Sequence, residues 1–405
     1  MARASRAPAA ARPTDTAQPV ETSRVPTAAH LPDAARQVGP ARPAGIARQP
    51  TTVRVVWLAT GLGVALRAAA FAAVCLGRAG LSLGEVWAAL THPRWAGEIG
   101  GRDSGTGTGT EPGQVTQAVH AIVWQIRLPR VLTAAAVGAG LALSGAVMQA
   151  LTRNPLADPY LLGVSSGASL GAVLVLLAGL TVLLPVAAFA GALGAMLLAL
   201  ALAGAVGSLT PGRTILAGLA VSQACAAAVS LVIFTTARGD AFREVLAWLM
   251  GSLAGATWTS VWVTAGALVL LGPWLIRLGG TLDAFAFGDQ TAAALGVRVG
   301  RTRRWTMVAV AVLTGAMVSQ SGSIGFVGLV VPHIVRLGVG ALNRRLLALT
   351  GLMGALFLLV ADTLARLVIA PGELPVGVVT AAVGAPVFAV VLLRLGRPAR
   401  QGGAL

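Results

Sequence analysis

The 405-residue chain contains no lysine; all 30 of its basic residues are arginine. A phosphate-binding loop of the GxxxxGK[ST] kind is therefore excluded, so if ATP drives this protein another chain hydrolyses it. Cysteine is nearly missing as well. Cys75 and Cys225 both sit inside apolar stretches, which implies neither a disulfide framework nor a zinc site. His30, His92, His120 and His333 are too scattered to read as a ligand set, and no cofactor is expected. Charge of either sign is scarce at 11%, against about 25% in ordinary soluble domains.

Apolar residues fill the space that is left. The chain is 56% hydrophobic with a mean hydropathy of +0.80, the composition of a membrane protein. No charge interrupts Val131 to Leu151 or Pro159 to Gly212. A bilayer core takes roughly 20 helical residues, so such runs convert into crossings. The spans expected are 55–77, 130–151, two helices within 159–212 parted near Pro185, 214–237, 257–276, 305–320 and 324–335 parted by SQSGSIG, 346–368, and 374–393. The fold class is all-α, a polytopic membrane protein of about ten transmembrane helices.

The arginines set the orientation. They cluster at Arg298, Arg301, Arg303 and Arg304, at Arg336, Arg344 and Arg345, and at Arg394, Arg397 and Arg400. The positive-inside rule makes those loops and both termini cytoplasmic, and puts loop 79–120 outside. The net charge of +16 is spread over inner loops instead of being interleaved with aromatics on one soluble face, so nucleic acid is not an expected partner. Residues 1–53, rich in Ala, Pro and Arg, are expected to be a disordered cytoplasmic tail without a signal peptide's apolar core. The transmembrane domain is expected at 54–396, with a flexible outer-loop insert at 97–113 around SGTGTGTEPG and a cytoplasmic segment at 280–304.

Charge within the spans is costly and worth noting. Asp362 and Arg366 are spaced i,i+4 and can pair, whereas Arg67 has no evident partner. Two glycine-rich stretches go beyond the close packing that explains most of the 51 glycines. They are RNPLADPYLLGVSSGA and SGSIGFVGLVVPHIVRLGVGA, in which Pro159 precedes Gly167-Ala168 as Pro332 precedes Gly340-Ala341. The preceding helices run in opposite directions, as an inverted repeat requires, and both stretches are expected to break helices. In the second, Gly325, Gly328, Pro332 and His333 are the residues expected to shape the break. In DAFAFGDQTAAALGVRVGRTRR, Asp289 can cap a short helix reaching about Leu295, and Gly296 can end it.

These stretches resemble the FecCD-type permeases, the membrane subunits of type II ABC importers for iron-siderophores, haem and vitamin B12. The likeness is carried by WQIRLPR (124–130), SGAVMQALTRNPLADPYLLGVSSGA (144–168), GSIGFVGLVVPHIVRL (322–337), ADTLARL (361–367) and ELPVGVVTAAVGAPVFAVVLLR (373–394). The likeness is especially close to the vitamin B12 permease-like members, although the motifs are shared across the family. The long tail, the Gly/Thr insert, Arg67 and Pro211-Gly212 depart from the family pattern.

The resemblance implies a dimer of permease subunits, identical or different, around a shared path in the bacterial cytoplasmic membrane. It also implies two cytoplasmic ATPase subunits and an extracytoplasmic substrate-binding protein. Asn154, Pro155 and Leu156 would form the cytoplasmic gate. Asp289, Ala293, Leu295 and Gly296 would form the seat in the ATPase. Arg127, Arg130 and Arg366 would receive acids of the binding protein. The cargo expected is an iron(III)-siderophore, with cobalamin or haem as alternatives. A proton- or sodium-driven transporter needs ion-coordinating groups that Asp362 alone supplies poorly, and a scaffolding protein would not need paired broken helices.

Overall fold

Pro129, between Arg127 and Arg130, has no N–H to give to an α-helical ladder, yet the helix around it does not stop. In the computed structural model, which describes residues 52–77, 80–91, 117–205, 207, 209–236, 240–369 and 372–395, residues 122–127 widen into a π turn. Leu128 N–H there bonds the Val123 carbonyl, five residues back, so the proline is carried without a break. The span expected at 130–151 is thus the inner part of one helix, Gln117–Thr152.

The described residues are helical throughout their regular elements. In chain order they are α1 (Thr52–Cys75), α2 (Leu83–Thr91), α3 (Gln117–Thr152), α4 (Val164–Leu177), α5 (Leu184–Ala205), α6 (Pro211–Thr236) and α7 (Asp240–Leu249). There follow α8 (Trp258–Arg277), α9 (Gly279–Ala286), α10 (Asp289–Ala294), α11 (Val299–Ser321), α12 (Val327–Val339), α13 (Asn343–Leu367) and α14 (Val376–Leu395). Among these, 6 helices are long and apolar enough to cross a membrane: α1, α3, α5, α6, α8 and α13. The apolar helices α4 and α12 are shorter, as is the stretch Val376–Val390 of α14, and α11 carries Arg301, Arg303 and Arg304 in its first turns.

The long helix α3 is the centre of the fold. It is buried along most of its length, with α13, α8, α11 and α12 packed around it. Glycines permit the closest approaches. A Cβ on Gly138 would drive into the Gly354 carbonyl of α13, and one on Gly145 into the Gly328 carbonyl of α12. A second bundle, α4 with α5 and α6, packs against α11. At the end of the bundle where α8 begins, Trp124 stacks on Trp258 with centroids 6.3 Å apart, and Trp262 lies tilted beside Trp258 at 6.4 Å.

Several expectations shift. Pro185 lies in the first turn of α5, where proline is tolerated, and the chain turns before it through residues 178–183. Pro332 lies inside α12; the interruption is at 322–326, where Gly322 and Phe326 both take positive φ. Phe326 at φ 68 holds a conformation that costs an L side chain about 1–2 kcal/mol. Gly325 has an ordinary φ and open space where a side chain would sit, so nothing local demands glycine there. Arg67 lies exposed on α1. Of the expected tail at 1–53, only Thr52 and Val53 are described, and they open α1; the insert at 97–113 lies outside the described residues.

Candidate functional site

The helix α3 carries functional groups at both ends, about 35 Å apart by the rise between Arg130 and Arg153. Its final residue hands over to RNPLADP through Arg153, which takes a left-handed conformation at φ 54. Asn154 then folds its side chain back, accepting the Leu156 N–H at 2.9 Å in an Asx turn. Leu156 is left exposed and Pro155 beside it. Asp158 accepts the Tyr160 N–H at 2.8 Å and starts a 3-10 turn, Pro159–Leu162, that leads into α4. The heptapeptide is thus a hydrogen-bonded elbow between two helices, with Leu156 at its tip.

The two broken regions clasp each other. Tyr160 donates its hydroxyl to the Ile324 carbonyl at 2.9 Å, and the Ser165 and Ser323 hydroxyls meet at 2.7 Å. Gln149 donates to the Gly328 and Leu329 carbonyls and accepts from Arg336 at 3.2 Å. Pro332 is buried and His333 half-buried on the same helix, α12. A cleft of about 210 Å³ opens beside this junction, lined by Gln149, Arg153, Pro155, Arg336 and Asn343 among others.

On the same end lies the segment expected to couple. Asp289 does not cap α10: Gly288 occupies the cap, and the Asp289 carboxylate turns to Arg303. Arg303 grips it with bonds of 2.8 and 3.1 Å, and Arg153 approaches to 3.6 Å. A two-pronged guanidinium is a strong, geometrically specific partner for a carboxylate. Arg303 therefore is no solvated surface charge; only 3% of it is exposed. These arginines hold the Asp289 carboxyl below its ordinary range. Asp283 of α9 accepts from the Asn343 N–H at 2.7 Å and pins the segment to the start of α13. Ala293 and Leu295 are exposed, Phe287 is 75% exposed, and Gly296 ends the helix at φ +86.

The other end gathers the three arginines expected to meet a partner. Each is less than a tenth exposed. Arg130 binds both oxygens of Asp362 at 2.9–3.1 Å and reaches Glu373 at 2.8 Å. Arg127 donates to the Val74 and Cys75 carbonyls at 2.7 and 3.0 Å. Arg366 donates to the carbonyls of Ala73 and Leu76 and to Thr363, and its Nε lies 3.3 Å from Asp362 without a hydrogen-bonding geometry. The last turn of α1 leaves carbonyls without partners and carries a negative dipole end, and two guanidiniums satisfy both. Sequence reading found the local Asp362–Arg366 pair; the stronger Arg130–Asp362 bond, 232 residues apart, had no local signal.

Comparison with known proteins closes the description. Residues 65–394 match the FecCD transport family. The chain is 44% identical over 288 residues to the uncharacterized ABC transporter permease protein YvrB of Bacillus subtilis, covering 69% of this chain and 81% of that one. It is 44% identical over 276 residues to the vitamin B12 import system permease protein BtuC of Vibrio cholerae, covering 67% and 83%. A solved ABC transporter assigned to the metal-chelate type, in an inward-facing conformation, superposes with a TM-score of 0.70 at 31% identity, over 84% of this chain and 99% of that one.

Proposed function

The chain belongs to the FecCD transport family and is an ABC importer permease, a multi-pass membrane protein, and from that premise we propose that two copies enclose a path for a metal chelate. In this reading the chain crosses the membrane ten times. The Asp289 end faces the cytoplasm, because Arg153, Arg213, Arg277, Arg298, Arg301, Arg344 and Arg345 lie towards it. Both termini are then cytoplasmic. Two separate ATPase chains seat on the coupling segment, and an extracytoplasmic binding protein delivers cargo at the Arg130 end.

One observation carries the ATPase seat. Phe287 and Leu295 stand 75% and 66% exposed on a segment whose two aspartates are tied down within the chain. Apolar side chains held out from a fixed base are what a protein cleft takes up. Leu156, at the tip of the elbow, narrows the exit, with Asn154 holding the turn and Pro155 limiting its freedom. The arginines of the Arg130 end serve the binding protein indirectly, by fixing the rim on which it lands.

The cargo is read as an iron(III)-siderophore. Cobalamin is the second reading, favoured by the 44% identity to a vitamin B12 import permease. Uptake of iron chelates, haem and cobalamin by cells deleted for this chain separates them: one class of chelate is lost and the others persist. Undiminished uptake of all three would overturn the metal-chelate reading.

A further inference from the structure

Three parts of the chain meet around one ion-paired joint: the stretch from Phe285 to Arg303, the Leu209 carbonyl, and Arg153. Arg303, at the start of α11, binds Asp289 through both nitrogens and donates from Nη1 to the Leu209 carbonyl at 2.9 Å. Its charge also lies 5.4 Å above the Phe285 ring of α9. Asp289 reaches Arg153 at 3.6 Å, at the head of the elbow. The joint therefore ties the coupling helix α10 to the elbow through Arg153, to α11 through Arg303, and to the α5–α6 connection through Leu209.

We propose that Asp289 is a positioning residue that passes displacement of the coupling segment to the elbow and to the entry of α6 together. The proposal rests on the ATPase seat inferred above, and goes beyond it by naming the link from seat to exit. The geometry supplies the reason. Asp289 opens α10, whose far end presents Leu295, so a push on Leu295 acts on a short rigid helix with its pivot at the carboxylate. Arg303 is buried and cannot swing into solvent, so the pivot moves with α11. Arg153 is bound more loosely, at 3.6 Å against 2.8 Å, and is the contact that can open and close. A backbone in the left-handed region at Arg153 adds a strained hinge at that contact.

The ratio of chelate imported to ATP hydrolysed reads this link directly. Normalisation to ATP hydrolysed makes the ratio blind to a weakened seat. In proteoliposomes holding the full transporter, Asp289→Asn is expected to lower the ratio about fivefold, the lower end of ordinary couplings between sites. Asp289→Glu, which keeps the charge, should recover at least half of it. Should the asparagine variant accumulate poorly, Arg153→Gln tests the same contact from its half-exposed side, with a ratio about twofold below wild type expected. A wild-type ratio in Asp289→Asn, or in Arg153→Gln where that variant stands in, overturns the link. Failure of any ATPase chain to bind the unaltered protein would instead count against the seat.

Discussion

Removing the Asp362 carboxylate, as in Asp362→Ala, is expected to destabilise the protein by about 3–5 kcal/mol, the cost of breaking a buried ion pair from one side. Asp362 is fully buried and takes three bonds from Arg130, with the Arg366 Nε 3.3 Å away. Without it, two buried guanidiniums face a single carboxylate, Glu373, which is itself partly exposed. The loss should spread to α1, whose last carbonyls Arg366 and Arg127 satisfy. Pairing Arg130→Met with Asp362→Leu should restore part of the stability, because it removes one of the two orphaned guanidiniums while Arg366 stays. Thermal unfolding in detergent measures both. A loss below about 1 kcal/mol for Asp362→Ala would mean the cluster is wetter than its burial indicates.

The second large effect is on assembly. Changing Ala293 and Leu295 together to aspartate should weaken binding of the ATPase chain at least about 100-fold, which is roughly 2.7 kcal/mol. Both side chains are exposed in the isolated chain, so the fold has no stake in them and membrane insertion should be unaffected. Burying two carboxylates in an apolar cleft carries the cost. Co-purification of the ATPase chain at the wild-type level with the double variant would move the seat elsewhere.

The features that were legible in the sequence are those that depend on neighbours in the chain. Uncharged runs of about 20 residues gave the membrane class and most spans, because the bilayer imposes a length that composition reports directly. The pair of interrupted stretches was legible too, as an echo of prolines and glycines, and the structure brings them together through Tyr160–Ile324 and Ser165–Ser323. The helix α7 was overlooked although Phe242, Val245, Leu246 and Leu249 follow a helical spacing, since it is short and sits between two crossings.

Contacts across the fold left no such trace. The uncharged run places a helix start at 130, and the π turn before Pro129 lets the helix begin at Gln117 instead. Asp289 reads as a cap in the sequence, but the helix is capped one residue earlier, at Gly288, and Arg303, brought alongside by the return of the chain into α11, holds the Asp289 carboxylate. The acids and carbonyls that the three arginines of the Arg130 end hold within the chain come from α1, α13 and the approach to α14, far from them in sequence, and left no local signal beyond the Asp362–Arg366 spacing.

The source of energy is the most direct test of the whole account. Proteoliposomes containing this chain, a separate ATPase chain and the binding protein should accumulate chelate when ATP is supplied on the ATPase side, with no proton or sodium gradient present. The same vesicles without the ATPase chain should accumulate none under any gradient. Accumulation by this chain alone, driven by a proton or sodium gradient, would contradict the account.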